Sequence, residues 1–178
     1  MFPKYFSSLV RTHRPTYIVI LVGAAIWCVM ILLPPYFTAH GWSHASSLVE
    51  AFFKPLCHQL PDRCLAINGT PVAVCFRCSA VYVAFLAGTM LYPLILRVRE
   101  PQEHGRWLLI AGLLPMCLDV VAGLAGLHQP TAVTRVATGS LFGFIAAFYI
   151  IPGAQLAIAG LVPVHPSSST PSEGSMHA

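Results

Sequence analysis

The sequence predicts an all-α integral membrane protein, a four-transmembrane-helix bundle with a re-entrant or interfacial segment in its first outer loop. The chain is 56% hydrophobic and only 9% charged, whereas a soluble domain carries about 25% charged residues. Four apolar stretches are long enough for the roughly 20 residues of helix that cross a hydrocarbon layer of about 30 Å. The connections between them leave no room for a second domain, so residues 1–162 are expected to form one membrane unit packed helix against helix.

Taken in order, the spans fall at about 17–37, 71–96, 107–127 and 133–162. The first resembles a signal peptide in position, but its apolar run outlasts an ordinary h-region and no small-x-small pattern follows Pro34 and Pro35, so it is expected to stay as a helix. Between the first two spans, the stretch from Leu48 to Leu56 is apolar on one side and carries Glu50 and Lys54. It reads as an interfacial or re-entrant half-helix ended by Pro55 and Pro61, returning Cys57 and His58 to the membrane surface. Thr70 followed by Pro71 has the form of an N-cap and first helical residue, which would start the second span there. Small residues recur every fourth position at Ala80, Ala84 and Gly88, at Ala122 and Gly126, and at Gly139 and Gly143. Such faces let helices approach closely in lipid. Residues 163–178, rich in Ser, Pro, Gly and Thr, read as a disordered tail.

The basic residues supply an orientation. Lys4, Arg11 and Arg14 precede the first span, and Arg97, Arg99 and Arg106 fill the loop after the second. By the positive-inside rule both segments face the cytoplasm, which puts both termini inside and the loop holding the cysteines outside. The net charge of +4 is this orientation signal and calls for no nucleic acid. The bilayer is the expected partner.

The chemistry is concentrated between Cys57 and Cys78, where four of the six cysteines and His58 fall within 22 residues. The spacing C-x6-C-x10-C-x2-C is compatible with a tetrahedral metal site, zinc above all, from Cys57, Cys64, Cys75 and Cys78, with His58 able to replace one thiolate. If the second span begins at Pro71, Cys75 and Cys78 share one face of its second turn with Tyr82, and Arg77 beside them favours thiolate. Two other uses of the same residues compete. The pairs could exchange electrons as a membrane thiol–disulfide oxidoreductase, or static disulfides could staple the loop, as in an accessory subunit of a larger membrane complex. Cys28 and Cys117 lie mid-span, where a cysteine serves as a small apolar residue.

A second constellation is charged. Asp119 lies well inside the third span and Arg135 at the start of the fourth. A short outer turn joins these two helices, so the long arginine stem is expected to reach down to the carboxylate as an intramembrane charge pair. Pro115, one turn before Asp119, frees a backbone carbonyl nearby. The chain has no Gly-rich phosphate loop, no His-Glu-x-x-His and no Gly-x-Ser-x-Gly, which excludes the usual routes to nucleotide hydrolysis, zincin proteolysis and elbow-type esterase chemistry.

Cys57-His58-Gln59 with Pro61 and Arg63, then Cys75-x-Arg77-Cys78 and Tyr82, then Asp119, then Arg135 with Thr138-Gly139 and Gly143 resemble a family of predicted bacterial and archaeal membrane proteins classed as a domain of unknown function. The resemblance runs from about Phe52 to Gly143 and brings no established activity with it. The chain departs from that family's pattern at Cys64, where Ser is usual, at Ala80, where Gly is usual, and at Val120, where Gly is usual. A site shared with the family would therefore consist of Cys57, His58, Cys75 and Cys78. At the level of architecture alone, loop cysteines before a helix-borne C-x-x-C are also similar to the vitamin K epoxide reductase family. That likeness implies a quinone facing Cys75 and Cys78 in the oxidoreductase reading.

Overall fold

The computed structural model describes residues 3–95 and 106–161. The expected tail at 163–178 and the loop with Arg97 and Arg99 lie outside the described residues. Five α-helices run in chain order: α1 (Pro3–Ala39), α2 (Ser43–Phe53), α3 (Phe76–Ile95), α4 (Arg106–Leu124) and α5 (Ala132–Leu161). Between α2 and α3 lie a 3-10 turn (Pro61–Arg63) and two strands, β1 (Cys64–Ile67) and β2 (Thr70–Cys75). Four helices are long and apolar enough to span a membrane, over Arg14–Ala39, Phe76–Ile95, Trp107–Leu124 and Ala132–Ile158. The protein is thus an all-α membrane bundle with a small hairpin inserted between its first two spans.

Residue chemistry sets the boundaries. α1 ends in a Schellman motif at Gly41 (φ 76°): Trp42 N–H donates to Phe37 O at 2.8 Å and Gly41 N–H to Thr38 O at 3.1 Å. The apolar contact that usually accompanies such a cap is present as Phe37 against Trp42, ring centroids 5.8 Å apart. α4 ends the same way at Gly126 (φ 71°), with Leu127 N–H on Ala122 O at 3.0 Å. Thr131 opens α5 by accepting the N–H of Thr134 at 3.3 Å. α2 is tied back to α1 where the Thr38 hydroxyl donates to Ser46 Oγ at 3.2 Å.

The second span does not begin at Pro71. Asn68 and Gly69 both take positive φ, 51° and 81°, and form a two-residue turn that folds β1 back on β2 as an antiparallel hairpin, with Cys64 opposite Cys75 and Ile67 opposite Thr70. Thr-Pro therefore starts a strand, not a helix. The tertiary reason is burial. Val72, Ala73 and Val74 fill a small core with Ile31 and Phe53 at this end of the bundle, which an extended segment reaches and a helix would turn partly away from.

Within the membrane, α3 and α5 are in intimate contact through their small residues. A methyl added to Gly143 would overlap the backbone of Val81, and one added to Gly139 would stand 2.6 Å from the carbonyl oxygen of Arg77. Gly88 meets Ala147 and Phe144 in the same interface. Without a hydrophobic force between helices in lipid, this close approach is what holds them together. α1 packs on the pair by donating the Tyr17 hydroxyl to Thr89 O at 3.0 Å, and α4 packs on α5 with Gly112 against Ile145. The outward faces are apolar: Val19, Val22, Ile26 and Val29 form an exposed stripe along α1 at helical spacing, as lipid contact requires.

Candidate metal centre and its charged neighbourhood

Three elements converge at the hairpin end of the bundle. Cys57 follows α2, its N–H bonded to Phe53 O at 3.0 Å; Cys75 is the last residue of β2, and Cys78 lies in the first turn of α3. The strand-to-helix junction brings Cys75 and Cys78 round to the same point that Cys57 reaches from the loop. The ligand atoms of these three cysteines lie within 4.8 Å of one another. A tetrahedral zinc with Zn–S bonds of about 2.3 Å sets sulfurs about 3.8 Å apart, so an ion would draw them together only slightly. The backbone N–H of Cys75 also donates to Cys57 Sγ at 3.2 Å.

Gln59 fixes the loop that carries Cys57. It takes a positive φ of 50°, turning the chain sharply, and its side-chain amide donates to Glu50 O and Ala73 O, both at 2.8 Å. One side chain thus joins α2 to β2 across the cysteine loop. Beneath the sulfurs, Trp27 stands edge-on to Phe53 and Tyr82, centroids 5.2 and 5.7 Å away. Tyr82 borders the same core as Cys78. The cysteines are set in a largely apolar floor.

Of the five expected ligands the structure gathers three. Cys64 is buried and lies across the ladder from Cys75, but its sulfur is outside the triad. A bulge between Cys64 and Ala66 shifts the register locally, which fits its offset from the other sulfurs. His58 is exposed and also outside the triad, lining the cavity beside it. Adjacent residues point apart in an extended loop, so burying Cys57 turns His58 outward. The thiols differ in acidity. Hydrogen bonds from the Cys57 and Cys78 side chains hold Cys75 well below the ordinary thiol range. Burial, reinforced by the neighbouring Cys57 and Cys75, pushes Cys64 up to about 11.

The charge pair differs from its expectation. Asp119 is ion-paired to Arg77, not to Arg135, and its other oxygen lies 3.5 Å from His128 Nε2. Arg77, at the start of α3, comes down on the carboxylate from the hairpin end. Arg135 is on the adjacent helix but has no ion pair among the described residues, and its Nε is buried without a partner. Arg63 makes a looser pair with Asp62 at 3.6 Å, both side chains exposed. Gln59 and His128 lie outside the set of expected site residues. The one signal for Gln59 was its place beside Cys57-His58, and for His128 its place in the turn just after α4.

A cavity of about 450 Å³ opens directly on Cys57, Cys75 and Cys78 and is lined in addition by Arg63, Arg77 and Arg135. The three thiols therefore present one side to an open space that three arginines line, while their other side rests on the core.

Residues 57–149, more than half of the chain, match the model of a family described as "Predicted membrane protein (DUF2085)". The chain belongs to that family. The match opens at Cys57 and so takes in the thiol triad, Arg77, Asp119 and Arg135. The chain is 35% identical over 141 residues to "Uncharacterized protein MJ1492" of Methanocaldococcus jannaschii, an alignment covering 76% of this chain and 90% of that one. No solved structure matches it.

Proposed function

We propose that this member of the family is a metal-binding membrane protein in which Cys57, Cys75 and Cys78 hold a zinc ion with an open fourth position. The observation that supports this most is the convergence of three thiols, from three separate elements, within 4.8 Å. Three soft ligands in one place suit zinc or a comparable thiophilic ion. Structural zinc sites close their fourth position with a protein ligand, whereas sites that act on a bound molecule leave it to water or substrate. The same cavity is lined by the three cysteines and by His58, which supports a fourth position open to water or a bound molecule, and His58 is near enough in the chain to enter it if the loop moves. The basic flanks, Arg14 at the start of the first span among them, support an orientation with both termini cytoplasmic and the metal centre on the outer side.

The experiment is metal content and free-thiol count on the purified, unreduced protein. One ion per chain, with its thiols freed by chelator under denaturing conditions, is the expected result. No ion, with Cys57, Cys64, Cys75 and Cys78 blocked as two disulfides, would replace this reading by the thiol–disulfide one. In intact cells, reduced and treated with chelator, a membrane-impermeant thiol reagent should label Cys57 or Cys75. Labelling only after the membrane is permeabilised would invert the orientation.

A further inference from the structure

The cavity beside the thiols collects positive charge. It gathers Arg63, Arg77 and Arg135, and no Asp or Glu is among its lining residues. Arg77 gives one arm to Asp119, yet its Nε is buried with no partner, as is that of Arg135. Guanidinium groups converging at a low-dielectric membrane boundary repel one another, and their unanswered N–H donors are expensive. Asp119 and Asp62 offset two of the charges. A zinc–trithiolate would offset the third, but its sulfurs are already committed to the metal and offer poor acceptors for a planar fork of N–H groups. What such forks match is a pair of oxygens on one carboxylate or phosphate. Arg135 stands in the first turn of α5, where the helix dipole adds to its positive potential. The space is of small-molecule size, and its rim at Leu56, Leu60, Leu124 and Pro130 is apolar.

We propose that this cavity binds a phosphate-type oxyanion, with the guanidinium groups of Arg135 and Arg77 as its principal donors. The group could belong to free phosphate or to a lipid head group whose chains lie along the apolar rim. Binding does not require the metal, because Arg77 is carried by α3 and Arg135 by α5, with Arg77 held to Asp119 of α4, and neither is held by the sulfurs.

The test uses the full chain in a neutral maltoside detergent. Calorimetric titration is run with inorganic phosphate and with dioctanoyl phosphatidic acid, against sodium chloride of equal ionic strength and dioctanoylglycerol. Phosphate binding above the chloride control identifies a free-anion site. Binding of the phosphatidic acid alone, above the neutral diglyceride, identifies a head-group site. Either should weaken at least tenfold in Arg135→Gln, with metal content and helix content unchanged. If that variant misfolds, Leu124→Glu, an exposed position on the cavity rim, should weaken binding similarly by placing a carboxylate in the anion's path. Equal affinity for the phosphorylated and control compounds would overturn the proposal, as would undiminished binding in folded Arg135→Gln or Leu124→Glu. Repeating the titration on Cys78→Ser separates the two ideas: retained phosphate binding without bound metal leaves this site standing on its own.

Discussion

Arg77 and Asp119 are ion-paired across α3 and α4, so one of the two residues that separate Cys75 from Cys78 in sequence is anchored to a helix that carries no cysteine of the triad. α4 has few other ties to the hairpin end. The pair links the thiol centre to the position of α4, and His128, 3.5 Å from the same carboxylate, extends the link to the turn before α5.

Removing one member of this pair leaves a mostly buried charge without its partner. Asp119→Asn should lower stability by about 3–5 kcal/mol, the range for breaking a buried pair, and adding Arg77→Gln should recover much of the loss. Adding Arg135→Gln should not. Thermal unfolding of the four proteins in detergent checks both statements, and rescue by the Arg135 change would restore the pairing that the sequence suggested.

The thiol centre separates its cysteines by consequence. Serine at 57, 75 or 78 should abolish stoichiometric zinc, because each supplies one of three converging ligands. Cys64→Ser should retain it. Elemental analysis of the purified variants is sufficient, and loss of the ion in Cys64→Ser at unchanged helix content would mean that the hairpin shifts on metal binding to make Cys64 a fourth ligand.

The thiols should also differ in their pH dependence once the protein is reduced and metal-free. Cys75 is held well below the usual thiol range by hydrogen bonds from Cys57 and Cys78, so it is thiolate throughout pH 7–9 and its alkylation rate should be flat there. Cys64, raised to about 11 by burial, is protonated across that interval. Its rate should start far lower and climb about tenfold per pH unit as the thiolate fraction grows. Pulsed alkylation read by mass spectrometry distinguishes the two, and a flat Cys64 profile would contradict its placement in the buried ladder.

Close packing of α3 on α5 predicts a contrast between two glycines on one helix. Gly143→Ala drives a methyl into the Val81 backbone, which cannot move aside as a side chain could, and should cost about 1–3 kcal/mol or prevent folding. Gly153 has nothing within 4 Å of its added methyl, so Gly153→Ala should be neutral or stabilising by up to about 1 kcal/mol. Unfolding midpoints measured side by side decide it.

Local composition was enough to reveal the four spans, the glycine faces at 139 and 143, and the concentration of thiols before the second span. Each of these is a property of a short stretch: twenty apolar residues have no other stable place than lipid, and thiols within 22 residues are never far apart. The hairpin was not foreseen: Asn68-Gly69 is a turn pair, but Thr70-Pro71 has the form of a helix start, and two local signals of similar strength cannot arbitrate between themselves. The burial of Val72 to Val74 against α1 and α2 decided in favour of the strand. That choice placed Cys75 and Cys78 on either side of a strand–helix junction, left Cys64 beside the triad, and aimed Arg77 at Asp119. Which of two arginines meets a carboxylate depends on how each helix is rotated about its own axis, and that rotation is set by the glycine contacts between α3 and α5. It is a relation between distant segments, and only the folded bundle contains it.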